Sequence, residues 1–254
     1  MNELISISKY EYKIQIKRPV GWVVLLAVFI FAMLDCLPTT ANMSRIEFLY
    51  DIHCYVRRIF SFAGLILLFA IMFLVAGRLV GDRKTGSRDL FMAAPIKKSS
   101  YIGGKLLGNL LYALTLMYAL LLASVIGYAI FSQAGTSFGD YVSAIFSVSF
   151  CIILPATFFV VASSIMLPEI IDIRLFYLIY SILFLINAIF TGDAEKATPC
   201  YIFTQGDLSK LIWQHPKSTE IFWGSAIFNL IFMLAVGIAV IALVATKRKF
   251  WRTD

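Results

Sequence analysis

Side chains able to carry bond chemistry are few in this sequence and poorly spaced for it. The two histidines, His53 and His215, and the four cysteines, Cys36, Cys54, Cys151 and Cys200, include no CxxC pair, so zinc and thiol redox chemistry have no support. Lys84-Thr85-Gly86 lacks the preceding glycines and the Gly-Lys pair of a GxxxxGK[ST] loop, the arrangement that cradles nucleotide phosphates. The expectation is therefore no catalytic residue, no metal and no cofactor on this chain. What the sequence does concentrate is charge. Arg78 to Lys105 holds seven of the 22 Lys/Arg (Arg78, Arg83, Lys84, Arg88, Lys97, Lys98, Lys105) against two acids, Asp82 and Asp89, with Gly and Pro between them.

That charged segment lies between long apolar runs, and the runs dictate its setting. The 254 residues are 60% hydrophobic and 15% charged, with a mean hydropathy of +0.85, whereas soluble domains carry roughly 25% charged residues. Such a chain cannot hide its apolar groups in one soluble core, and the length leaves no room for a second sizeable soluble domain. Six runs, 20–37, 59–80, 106–132, 141–167, 175–191 and 221–246, are each about long enough to cross a bilayer's hydrocarbon core, the fifth being shortest. Counted over alternate connecting pieces, Lys/Arg number 16 on one side and 6 on the other. The positive-inside rule then puts both termini and the 78–105 loop in the cytoplasm. The net charge of +7 is accounted for by these basic loops rather than by nucleic-acid binding.

The expected fold is all-α, one polytopic membrane domain over 1–254 with six spans, N-in and C-in, in the plasma membrane. Residues 1–18 are too polar to span. Lys9, Lys13 and Lys17 fall at i, i+4, i+8, with Leu4, Ile7 and Ile14 on another face, which suits an interfacial amphipathic helix whose cations meet anionic headgroups. Tyr10, Tyr12, Ile14 and Ile16 alternate like a strand, but a lone strand at a membrane leaves backbone groups unpaired, so the helix is preferred. A signal peptide within 1–41 is disfavoured by the long leader with Glu3 and Glu11.

No Asp, Glu, Lys, Arg or His lies well inside any run, which disfavours ion-coupled transport. No pair of matching interrupted spans marks an inverted repeat. Pro155 predicts a kink in the fourth run, serving packing ahead of gating. Asn109, Asn187 and Asn229 read as hydrogen-bonding residues between helices before they read as a substrate site. Outside, Asp207 can cap a short helix carrying Leu208, Leu211 and Ile212, closed by Pro216. Cys54 and Cys200 both fall in outer loops, where a disulfide between them and two free thiols are both open.

Within the charged segment, Gly86 offers a turn and Ser87 an N-cap for a short helix with Asp89 in its first turn. Leu90, Phe91 and Ala94 give that helix an apolar face, Pro95 stops it, and Ser99 or Ser100 caps the helix that follows. Leu90-Phe91-Met92, with no stretch of this chain evident in sequence to bury it, points to a docking site for a partner rather than a solvated basic loop.

The run Asp82-Arg83-Lys84-Thr85-Gly86-Ser87-Arg88-Asp89-Leu90, then Ala93-Ala94-Pro95, then Tyr101 to Gly104-Lys105, resembles the cytoplasmic signature of ABC transporter permeases of the type-2 exporter class. In that family a Glu-Arg…Gly-Thr…Glu-Leu-Leu run, a Pro with small or basic neighbours and a Gly-Lys recur at this spacing. Here Asp82 and Asp89 stand for the more usual Glu, and Ser87 for Thr. About 24 residues carry the motif, and the topology fits beside it. The resemblance implies a permease that pairs with a second copy or a sister permease and docks on two cytosolic ATPase subunits, which hold the ATP and Mg. It implies a coupling helix between spans two and three, with Asp82, Arg83, Gly86, Asp89, Leu90, Phe91 and Pro95 at the ATPase interface. The cargo it implies is a drug, antimicrobial peptide or other amphiphile. The competing expectation is a non-transporting immunity or sensor protein that binds a peptide through its outer loops; a facilitator or secondary transporter is made unfavourable by the charge-free runs.

Overall fold

The computed structural model describes residues 2–36, 51–87, 96–132, 135–190 and 223–246. Among them the chain is helical, with no strand. The N-terminal segment is a helix, α1 (Asn2–Ile16), and not a strand. It stops because Pro19 pushes the residue before it out of helical backbone. Proline then serves as the first residue of α2 (Pro19–Cys36). The chain bends by 61° between the two.

Two long helices each contain a wide π turn. Asp51 opens the first, its Oδ1 accepting from the His53 backbone N–H at 3.0 Å. The helix runs as α3 (Ile52–Ile59), a π turn at Phe60–Gly64, and α4 (Leu65–Val75). It breaks at Gly77, whose φ of 71° is left-handed, and resumes as α5 (Arg78–Lys84). In the second, Ser137 and Asp140 form a capping box at the start of α7 (Phe138–Val148), a π turn spans Ser149–Ile153, and α8 (Leu154–Met166) follows. Pro155 explains that turn. It has no N–H for the Cys151 carbonyl, and its ring needs room there, so the helix widens. The departure from regular helix falls one turn ahead of the proline.

Between these lies α6 (Lys98–Phe131), 34 residues and so about 50 Å long. That exceeds the roughly 30 Å thickness of a bilayer's hydrocarbon core. The helix starts at Lys98 with Lys97 at its N-cap and no side-chain cap, so neither Ser99 nor Ser100 plays the expected capping part. A short 3₁₀ turn, Leu167–Glu169, closes α8. The last described helices are α9 (Ile173–Phe190) and α10 (Trp223–Thr246).

The helix α8 is the centre of the bundle: Ala156, Phe159, Val160, Val161, Ala162, Ile165 and Met166 are all buried, and it packs against α4, α6 and α10. The outer surface is the reverse of a soluble protein's. Val23, Leu34, Ile130, Phe146, Leu178, Leu185, Ile231 and Ile238 are all exposed, large apolar side chains on the surface that are compatible with a membrane protein. The described residues of the six apolar runs are mostly helical. By length and composition, three stretches, 62–84, 98–131 and 138–169, can cross a bilayer, or four if the bent α1–α2 pair is counted as one span.

Candidate functional site: a balanced charge cluster where three helices meet

The inner face of α1 is unexpectedly polar. Ile7, Ser8, Glu11 and Gln15 are buried, at spacings that put them on one side of the helix. They meet the start of α6 at Gly104 and Gly108, a small-xxx-small pair that lets two helices approach closely. A Cβ built on Gly104 would stand 2.7 Å from Ile7 Cβ, and one on Gly108 would stand 2.6 Å from the Ser8 carbonyl oxygen. Only glycine permits this contact.

At that contact four charges are gathered. Lys105 Nζ donates to Glu11 Oε1 at 2.7 Å and pairs with Asp82 Oδ2 at 2.5 Å, while Arg78 Nη2 lies 3.7 Å from Glu11 Oε2. The side chains of Lys105 and Glu11 are 4% and 7% exposed. Tyr101 donates its hydroxyl to Asp82 at 2.5 Å, and its ring lies under Lys105. The Gln15 amide completes the wall. With nitrogen towards Asn109 it donates to Oδ1 at 2.8 Å; with oxygen there it accepts from Arg78 Nε at 3.0 Å. Two cations and two carboxylates balance, which is the condition under which buried charge is tolerated. The three elements joined are α1, α5 and the first turns of α6.

A second pair extends the connection. Arg83, half exposed, reaches Glu169 Oε2 at 3.4 Å, and that carboxylate is 1% exposed in the turn after α8. Consecutive residues of α5 thus face different partners, Asp82 towards α6 and Arg83 towards the 167–169 turn. Gly86 ends α5 with a φ of 71°, the turn expected of it, and no atom lies within 4 Å of where its Cβ would be. Its requirement for glycine is conformational, not steric.

The segment 78–105 is therefore not a solvated basic loop along its whole length. Lys105 is buried in its ion pairs, Arg78 is partly buried beside Glu11, and Arg83 is paired. Lys84, Lys97 and Lys98 stay exposed. Of the residues assigned to a coupling interface, Asp82, Arg83 and Gly86 come together at the end of α5. Asp89, Leu90, Phe91 and Pro95 lie outside the described residues, as do the Ser87-capped helix and the Asp207 helix. Cys54 sits at the far end of the bundle, its thiol donating to Asp51 Oδ2 at 3.4 Å; Cys200 is outside the described residues, and with it the disulfide.

Sequence reasoning missed Glu11, Gln15 and Glu169. The available signal was two i, i+4 polar pairs, Glu11/Gln15 and Lys105/Asn109, the second interleaved with Gly104 and Gly108. Asn109 does bond between helices as expected, and Asn187 donates to the Leu183 carbonyl of its own helix. No group of three or more metal-binding side chains occurs among the described residues. The chemistry of the cluster is electrostatic, a joint that fixes three backbones relative to one another. Compared with family models, curated proteins and solved structures, the chain matches none.

Proposed function

We propose that this chain is the membrane-spanning permease subunit of an ATP-binding cassette exporter, crossing the plasma membrane six times with both termini in the cytoplasm. It moves a drug, antimicrobial peptide or other amphiphile with ATP hydrolysed, with Mg, on two partner subunits. The observation that supports this most directly is the divergence of Asp82 and Arg83. From one end of α5 they reach α6 and Glu169 respectively, and through Lys105 they reach α1. A force applied to the segment between α5 and α6 is therefore passed to three separated parts of the bundle, as a coupling element requires. Lys/Arg asymmetry supports the orientation, and the motif from Asp82 to Lys105 supports the kind of partner.

The deciding experiment is a detergent pull-down of the tagged protein from its native membrane, followed by mass spectrometry. Co-purification of an ATPase bearing a GxxxxGK[ST] loop is the expected result. Recovery of the chain alone, or with other membrane proteins only, overturns the exporter reading in favour of the peptide-binding immunity or sensor protein. In the same assay Leu90→Asp or Phe91→Asp is expected to lose the ATPase while inserting normally, since a buried unpaired charge is costly at an interface.

A further inference from the structure

α4 and α5 follow one another in a single stretch, 62–84, but not as one helix. Ala76 is extended, at φ −60° and ψ 143°, and Gly77 is left-handed, at φ 71° and ψ 13°. These are the central angles of a type II turn, whose second central residue needs a positive φ and so is usually glycine. One ladder closes with the Ala76 N–H donating to the Met72 carbonyl at 2.9 Å. The next opens with the Gly81 N–H donating to the Gly77 carbonyl at 2.7 Å. The helices therefore meet at a turn and not through a continuous ladder.

The two sides of this turn are bound to different parts of the molecule. α4 packs against α8, and it meets α9 through the ring pairs Phe73/Tyr177 and Phe69/Phe184, with centroids 4.9 and 5.0 Å apart. α5 is tied to α1 and α6, with Arg78 facing Glu11 and Asp82 pairing with Lys105. Against the end of α8, where α5 also packs, it has the Arg83–Glu169 pair at 3.4 Å, with the Arg83 side chain half exposed. A half-exposed single contact is easier to break than the buried cluster.

We propose that Ala76-Gly77 is a hinge and Arg83–Glu169 its latch, so that α5 moves with α1 and the start of α6 and not with α4. Hinges are a few element-terminal residues that absorb changes in φ and ψ, and glycine absorbs them with least steric cost. Gly77 also lies against α9: a Cβ there would stand 2.8 Å from Ile173 Cδ1. A tilt of α1 and α6 then need not pull α4 away from its ring contacts with α9. The inference rests on contacts within this chain and not on an ATPase partner, so the pull-down can fail and leave it standing.

The test is double electron–electron resonance on the full chain in nanodiscs, its four cysteines replaced by serine, with spin labels at exposed positions. Lys84 with Leu178 of α9 spans the hinge, Lys84 with Ile5 of α1 lies within the moving unit, and Ile66 of α4 with Leu178 lies within the fixed bundle. α5 is a lever about 10 Å long, so a swing of about 20° at Gly77 carries Lys84 about 3–4 Å sideways. Arg83→Gln, which releases the latch and leaves the cluster intact, is expected to shift or broaden the Lys84–Leu178 distance on that scale. The other two distances should hold. With Gly77→Ala already present, Arg83→Gln is expected to cause no such shift, because alanine disfavours the left-handed backbone of the turn. An unchanged Lys84–Leu178 distance, an equal change in Lys84–Ile5, or a shift that persists beside Gly77→Ala overturns the hinge. Should circular dichroism show that Arg83→Gln fails to fold, Glu169→Gln releases the same pair from the other side and decides in its place.

Discussion

Replacing Lys105 by methionine keeps most of the side chain's length and removes one charge from a cluster that has two of each sign. Glu11 then keeps only Arg78, at 3.7 Å, and Asp82 keeps the Tyr101 hydroxyl. Removing one partner of a buried pair costs about 3–5 kcal/mol. Because Arg78 and Tyr101 remain, the lower end applies, about 3 kcal/mol. Glu11→Gln leaves Lys105 with Asp82 and should cost less, about 2 kcal/mol, the worth of one hydrogen bond to a charged group. In the double variant Arg78 and Asp82 still balance, so the combined loss should stay near 3 kcal/mol instead of summing to about 5. The coupling is then about 2 kcal/mol, within the range for residues in direct contact. The assay is equilibrium unfolding of the four proteins in mixed micelles with increasing dodecyl sulfate, followed by tryptophan fluorescence. Losses that add to within about 0.5 kcal/mol would mean that Glu11 and Lys105 act independently, and the joint between α1 and α6 would have to be abandoned.

Three further outcomes follow from backbone geometry. Gly108→Ala sets a methyl against the Ser8 carbonyl and Glu11 Cβ, contacts of 2.6 and 2.7 Å, and should destabilise by about 1–3 kcal/mol in the same unfolding assay. Gly103→Ala, which meets only the flexible end of Leu4 at 3.2 Å, should cost far less, and equal losses would refute the close-contact account. Gly86→Ala, at a φ of 71°, should lose about 1–2 kcal/mol. Gly81→Ala, inside α5 with open space around it, should gain about 0.5–1 kcal/mol, and the same sign for both would count against the helix ending at Gly86. Pro155→Ala lets the widened turn at 149–153 close to ordinary helix, which rotates α7 relative to α8. Spin labels at Phe138 and Leu178 should report a changed distance, and an unchanged one would mean that the π turn does not depend on the proline.

Hydrophobic run length found where the helices lie, because apolar residues in such numbers admit few alternatives. The Pro19 bend and the Gly86 turn were also legible, since each depends on one residue's own backbone preference. The cluster was not. Glu11 and Lys105 are 94 residues apart, and nothing local to Glu11 distinguishes a carboxylate awaiting a buried lysine from one facing water. The lysine stripe of α1 drew notice instead, because its period is regular, while the face that packs holds serine, glutamate and glutamine. Arg83 and Glu169 were hidden for the same reason, being joined only by the way α8 returns beside α5.

The separation of Glu11 from Lys105 also sets an order of assembly. α1 leaves the ribosome with Glu11 and Gln15 lacking the groups that will bury them. At 5–20 residues per second, Lys105 follows about 5–20 s later. Until then α1 must remain in contact with water or headgroups, where a carboxylate is still solvated. It reaches its final position only when the helices on either side of the charged segment have been made and packed. Closing the cluster is thus a late, long-range step of biogenesis, and a truncated chain released before residue 105 would leave α1 undocked whatever its own helical propensity.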